Sequence, residues 1–358
     1  MAAIKCRFPL SFRHYAKKDL KVCFQVSWDE GKIKQRKFES TLYRFSLYIC
    51  NMATFRHYLS LIKFSHTIFA MPFAMIGFFL ALYKELHNGL FEKTNLSNLD
   101  WQALDIPPMV VVQKLLLVIA CMVCARSAAM AFNRYLDRNF DAKNPRTAIR
   151  EIPSGVIHAN SALWFTIICC LLFVFFSFLI NTICFFLSPV ALLVVLGYSY
   201  TKRFTALCHL VLGLGLSLAP IGAYLALAGR FDWLPIMFSL TVLFWVSGFD
   251  IIYALQDEEF DKSQQLYSIP AALGKLKALR VSRLLHLLSA LIVIAAGIYG
   301  SFGFAYWLGV LVFIGMLVYQ HSIVKPDDLR RVNIAFMTAN GVASVVFAVF
   351  VISDIFLK

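Results

Sequence analysis

The sequence predicts an all-α, polytopic membrane protein of about nine transmembrane helices, built as two pseudo-repeated halves around a central cavity. The first observation is composition: the 358 residues are 60% hydrophobic and 15% charged, whereas soluble domains are about half apolar and about a quarter charged. The second is that apolar runs of about 18 residues, enough to cross roughly 30 Å of hydrocarbon, recur along the chain. The third is a pair of acidic clusters at the ends of the second and sixth of those runs, each preceded by an intramembrane charge at the same offset.

The spans fall near 64 to 83, 110 to 132, 164 to 182, 184 to 200, 205 to 228, 234 to 255, 284 to 302, 304 to 320 and 333 to 353. The third and fourth are nearly continuous, as are the seventh and eighth, so those turns rest on Asn181, Gly300 and Gly303. Before the first span, residues 1–51 read as a basic polar extension without the apolar core of a signal peptide; residues 52–358 form the membrane domain. Thirteen lysines and arginines against four acids lie in residues 1–63. Loops after even-numbered spans carry fifteen Lys and Arg, the opposite side five. Basic loops stay inside, so the bias puts the amino terminus and both acidic clusters on the cytoplasmic side, of the inner membrane in a bacterium. The formal charge of +14 thus reads as topology and contact with anionic lipid, not as nucleic-acid binding. The cysteines, Cys121 and Cys124 among them, have no histidines at metal-ligand spacing and read as packing.

Carboxylates at the edge of hydrocarbon are expensive unless paired, metal-bound or facing a wet cavity. Asn133, Asp137 and Asp141 follow at intervals of four, which sets their side chains along one helix face; Asp257 and Asp261 repeat the spacing. Arg126 lies seven residues before Asn133 and Asp250 seven before Asp257, so each intramembrane charge shares a face with its cluster. The like charges of each ladder repel unless cations lie between them. Mg²⁺ suits the set, because it prefers oxygen ligands and is held by one or two carboxylates while it binds a substrate phosphate. Arg134, Arg138, Lys143, Arg146 and Arg150 surround the first ladder, and guanidinium groups clasp phosphate in bidentate fashion. Together these residues describe a diphosphate site. In a membrane, a diphosphate leaving an allylic lipid tail gives a cation that aromatic faces stabilise; Tyr253, Phe249, Trp245 and Tyr198 are among the rings at hand.

At these residues the chain resembles the UbiA superfamily of intramembrane aromatic prenyltransferases, through Asn133-Arg134-x-x-Asp137-x-x-x-Asp141, then Pro145-Arg146-Thr147, Arg150 and Gly155. Asp250 through Asp261, with Ser268 following, looks like the family's second Asp-rich motif. Lys63 through Phe73 is similar to the opening of the 4-hydroxybenzoate polyprenyltransferase branch. The resemblance covers roughly residues 55 to 356. It implies a Mg²⁺-bound polyprenyl diphosphate and electrophilic substitution on an aromatic acid in respiratory quinone synthesis. Asn133, Asp137, Asp141, Asp257 and Asp261 are implied to hold metal and diphosphate, Arg134, Arg146 and Arg150 to contact phosphate, and Asp257 or Asp261 to accept the ring proton. Lys63 is the candidate for the acceptor's carboxylate; Arg126, Asp250 and Tyr253 complete the substrate-binding set. Phe260-Asp261, Gln265 and Tyr267 depart from the ubiquinone branch. Arg150 through Gly155 and Glu259-Phe260-Asp261 instead resemble a subgroup tied to the futalosine route to menaquinone, which leaves a second acceptor open. A transporter of a phosphorylated or anionic solute is the alternative from another class, with Arg126 and Asp250 on an ion path.

Overall fold

The computed structural model describes residues 57–61, 70–90 and 107–357. The basic extension 1–51 and Lys63 lie outside the described residues. A helix over Met71–Leu90 (α1) covers the second part of the first predicted span. The remaining helices are α2, Pro108–Lys143; α3, Ala159–Ile180; α4, Thr182–Thr201; α5, Cys208–Ala228; α6, Trp233–Ala254; α7, Glu258–Ser263; α8, Ile269–Tyr299; α9, Phe304–Ile323; and α10, Asn340–Leu357. Eight stretches among the described residues are long and apolar enough to cross a membrane.

Sequence chemistry explains the boundaries. α2 opens with Pro108 in its first turn, where a missing N–H costs nothing. The close turn between α3 and α4 is made by Asn181, whose Oδ1 accepts the Cys184 N–H (2.8 Å) while its Nδ2 donates to Leu225 O (2.8 Å) and Ala226 O (3.2 Å) at the end of α5. The turn at Gly303 is held from the carboxyl end of the chain. Asp354 of α10 accepts the backbone N–H groups of Gly303 (2.6 Å) and Tyr306 (3.1 Å), which satisfies the exposed donors that begin α9 and sets a negative charge at its positive pole.

Two helices differ from the predicted spans. α2 runs eleven residues past the apolar run that ended at 132, and its 36 residues reach about 54 Å, well beyond the hydrocarbon. The first ladder therefore stands on an unbroken helix. α8 begins fifteen residues before the predicted 284, with Ser268 accepting the Ala271 N–H (3.2 Å) as its cap and a non-helical Gly274 at φ 77° near its start. The second ladder is not one continuous helix, contrary to the four-residue spacing. α6 gives way to a tighter 3-10 turn over Leu255–Asp257 before α7 begins.

α6 is the central helix, packed between α5 and α8, and Phe238, Trp245 and Ile251 on it are fully buried. α3 and α4 sit outside. Trp164, Phe175, Phe178, Phe186 and Leu193 on them are exposed, the surface that lipid covers where backbone groups are already satisfied within the helices. At the end of α6 remote from the acidic clusters, Asp232 caps the helix by accepting from Leu234 N (3.1 Å) and takes an ion pair from Lys84 (2.5 Å), beside the Arg230–Glu85 pair (2.7 Å). Burial pushes the Asp232 carboxyl up, but the Lys84 ammonium outweighs it and holds the group below the ordinary aspartate range.

A buried polar hub ties the last helices to α6. Trp245 Nε1 (2.9 Å) and Gln320 Nε2 (2.7 Å) both donate to Asn340 Oδ1, and Asn340 Nδ2 donates to Ala335 O (3.2 Å) and Phe336 O (2.9 Å) of the π-helical turn Ile334–Ala339. Asn340→Ala strands two buried donors at about 1–3 kcal/mol each. We expect a loss of about 2–4 kcal/mol, visible as a lower melting temperature in detergent; an unchanged melting temperature would contradict the hub.

Candidate active site

A cavity of about 460 Å³ opens within the bundle and is lined by residues of α2 to α7 and of the α2–α3 loop. Its polar end holds Asn133, Arg134, Asp137 and Asp141 from the first cluster together with Asp257 and Asp261 from the second. Arg126, Asp250, Tyr253, Arg146 and Arg150 line it as well. Every described residue of the predicted site set is thus on one wall or another of a single cavity. Lys63 belongs to the undescribed segment, so its placement against the acceptor carboxylate has no structural counterpart.

Successive turns fold the α2–α3 loop back over the cavity. Asn144 O accepts the backbone N–H groups of Thr147 (2.9 Å) and Ala148 (2.8 Å), Thr147 O accepts from Arg150 N (3.0 Å), and Thr147 Oγ1 reaches Asp141 O (3.1 Å). Gly155, at φ 77°, takes the left-handed conformation that closes the loop at no steric cost. This fold carries Arg146 across to the second cluster. Its guanidinium grips Asp257 with two bonds, Nε to Oδ1 (3.1 Å) and Nη2 to Oδ2 (2.5 Å), while Nη1 donates to the Tyr253 hydroxyl (2.9 Å). Asn144 Nδ2 adds a bond to Asp257 (3.3 Å). The two acidic clusters, more than a hundred residues apart in sequence, are therefore linked through the α2–α3 loop.

Each ladder carboxylate has a cation of its own. Asp137 accepts from Arg203 (3.0 Å) and from Asn133 one helical turn earlier (3.0 Å). Asp141 accepts from Arg150 (2.7 Å), with Arg134 at 3.9 Å. Asp261, fully buried, meets Lys202 (2.7 Å) and the Ser268 hydroxyl (2.9 Å). Repulsion within each ladder is thus relieved by protein side chains, so the spacing argument alone does not require a metal. Among the described residues, no three His, Cys, Asp or Glu groups converge on one ligand position. Burial lowers the Lys202 ammonium and the Arg146 guanidinium, but Asp261 and Asp257 respectively outweigh it and raise both above their ordinary values. Both side chains stay charged at any physiological pH. Arg134, also on the cavity wall, is buried beside Asp141, with its Nε making no hydrogen bond.

Residues 101–342 match the UbiA prenyltransferase family. The chain belongs to that family. It is an integral membrane prenyltransferase, as the sequence resemblance implied. Among curated UbiA relatives, the 4-hydroxybenzoate octaprenyltransferase of Francisella tularensis subsp. novicida is 29% identical over 234 residues, 65% of this chain and 82% of the relative. A UbiA homologue from Aeropyrum pernix K1 superposes with a TM-score of 0.63 at 25% identity, over 82% of this chain and 97% of that one. A homologue from Archaeoglobus fulgidus bound to DMAPP and Mg²⁺ shares the fold at a TM-score of 0.62 and 19% identity, over 84% and 99%.

Sequence reasoning missed four residues of this UbiA cavity. Lys202 and Arg203 counted only toward topology, although a basic pair closing a span is the signal that also marks Arg134 and Arg138. Asn144 had no signal apart from its loop. His209, a lone polar residue at the start of an apolar span, contacts Asp250 through Nδ1 at 2.6 Å.

Proposed function

We propose that this UbiA-family enzyme transfers a polyprenyl group from polyprenyl diphosphate to an aromatic acid, 4-hydroxybenzoate first among them, in respiratory quinone biosynthesis. One observation carries the reading: Arg146 of the first cluster's loop clasps Asp257 of the second over a cavity that also holds Arg126 and Asp250. The names of the curated relatives support the acceptor. The catalytic unit is residues 52–358, with the acidic end of the bundle facing the cytoplasm.

The donor chemistry fits Mg²⁺. Asn133, Asp137, Asp141, Asp257 and Asp261 offer oxygen ligands alone, and Asp141 Oδ2 is buried without a hydrogen bond, a lone pair in need of a partner. These carboxylates would hold the ion, which would supply positive charge to the departing diphosphate. Arg146, Arg150, Lys202 and Arg203 sit on the same carboxylates and present donors to the outer phosphate oxygens. Arg134, beside Asp141 on the cavity wall, adds positive charge next to that carboxylate. Tyr253, whose ring lies 4.3 Å from that of Phe336, and Phe249 flank the position of an allylic cation. Arg126 takes the acceptor's carboxylate two turns deeper.

The test uses purified full-length enzyme with labelled polyprenyl diphosphate and Mg²⁺, offered 4-hydroxybenzoate and a futalosine-route acceptor in parallel. A product with the mass of prenylated 4-hydroxybenzoate is expected, and its loss on chelation with recovery on adding Mg²⁺. Product from the other acceptor alone would move the enzyme to the menaquinone route. No prenylated product from either would overturn the acceptor class.

A further inference from the structure

Five carboxylates line the cavity among the described residues, and four of them face a guanidinium or an ammonium. Asp250 is different. Its Oδ2 meets His209 Nδ1 at 2.6 Å, and the opposite ring nitrogen, Nε2, accepts the backbone N–H of Ile269 at 3.3 Å. Ile269 is the first residue of α8, where that N–H has no partner in its own helix. Since Nε2 accepts, the ring proton of His209 is on Nδ1 and points at Asp250. His209 is thus the donor to Asp250, and among the described residues no lysine or arginine pairs with this carboxylate.

Close approach of two helices builds this pair. Gly213, one turn after His209, lies so near α6 that a Cβ there would sit 2.3 Å from Ser247 Oγ and 2.5 Å from Leu243 O. His209 is nearly fully buried, and Asp250 keeps 23% of its side chain exposed on the cavity side. Seven residues before Asp257, Asp250 stands about 10 Å along the helix axis from the diphosphate end, level with an aromatic ring that has met the first carbon of the prenyl chain.

We propose that Asp250 is the proton acceptor for the aromatic ring and that His209 is the positioning residue that holds it. The inference rests on the prenyl-transfer reading above. As the ring's π pair bonds to the prenyl carbon, the carbon–oxygen bond breaks and its electrons leave on diphosphate. The ring C–H bond then breaks, its electron pair restores aromaticity, and the proton goes to Asp250 Oδ1. Asp257 and Asp261, occupied by Arg146 and by Lys202 with Ser268, are left to hold the leaving group. The ring proton therefore moves from those two residues, which the family resemblance put forward, to Asp250.

The test is a kinetic isotope effect. Native enzyme and variants are given farnesyl diphosphate and either ordinary 4-hydroxybenzoate or the same acid deuterated at the carbons beside its hydroxyl. Native enzyme, whose proton loss is fast, is expected to show no effect on kcat. Asp250→Asn should lose about 10²-fold or more in kcat and acquire a primary isotope effect, with KM for the diphosphate unchanged. Two histidine variants separate positioning from helix capping. His209→Asn keeps an N–H where Nδ1 stood and should remain near native. His209→Gln keeps an acceptor for Ile269 but no donor to Asp250, and should slow with an isotope effect while melting like the native protein. Asp250→Asn that keeps its rate, or loses it without an isotope effect, overturns the proton assignment. Gln outperforming Asn at 209 overturns the role of His209. A native enzyme that makes no prenylated 4-hydroxybenzoate would sink the acceptor itself, a result distinct from both.

Discussion

Asp257→Ala is expected to lower prenyl transfer by about 10³-fold or more, at the upper end of what loss of one preorganised charge partner at a reacting centre does. Three interactions go at once. The carboxylate leaves the second ladder, Arg146 loses both of its bonds to Asp257, and Asn144 loses its own. Arg146 keeps only the hydroxyl and ring of Tyr253 and is no longer fixed over the cavity. Initial rates with saturating donor and acceptor measure the loss, and Asp257→Asn, which keeps the shape and removes the charge, should recover little of it. Membranes carrying Asp257→Ala at native level and native rate would mean that the second cluster does not act on the diphosphate.

Arg126→Ala is expected to raise KM for the aromatic acid by about 10²-fold with KM for the prenyl donor nearly unchanged, since removing one partner of a buried charge pair costs about 2–5 kcal/mol. Arg126 lines the cavity two turns from Asn133, and its Nε is buried without a hydrogen bond, so the free protein already holds an unsatisfied donor for an incoming carboxylate. An acceptor that lacks the carboxylate should bind the variant and the native enzyme alike. Arg126→Lys should recover part of the loss, as a point charge replaces a two-pronged one. Equal increases in both KM values would place Arg126 in the fold and not at the acceptor.

Hydropathy made the membrane spans legible, because the bilayer demands apolar side chains at a fixed length. It failed where helix and bilayer part company. α2 continues through Arg134, Asp137 and Arg138 to Lys143, and α8 starts near Ile269 ahead of Lys275 and Lys277, since an α-helix that has left the hydrocarbon tolerates any residue of good propensity. The first ladder was legible from spacing alone, as the Asn133–Asp137 bond one turn apart shows. The second misled, because a 3-10 turn at Leu255–Asp257 is a local change of winding that a four-residue interval does not reveal. The partners Lys202 and Arg203 were hidden for a different reason. They reach Asp261 and Asp137 from another helix, and a pairing across more than fifty residues is decided by tertiary packing.

The two walls of the cavity differ in winding. From Arg126 to Asp141 the chain is uninterrupted α-helix, a ruler graduated at 1.5 Å per residue that keeps the Arg126 guanidinium at a set height below the first ladder. From Asp250 to Asp261 the path crosses a change of helical pitch. Adjustment to a bulkier head group therefore falls on the α6 wall, and drift in selectivity between relatives should gather around Leu255–Asp257 and leave the spacing on α2 alone.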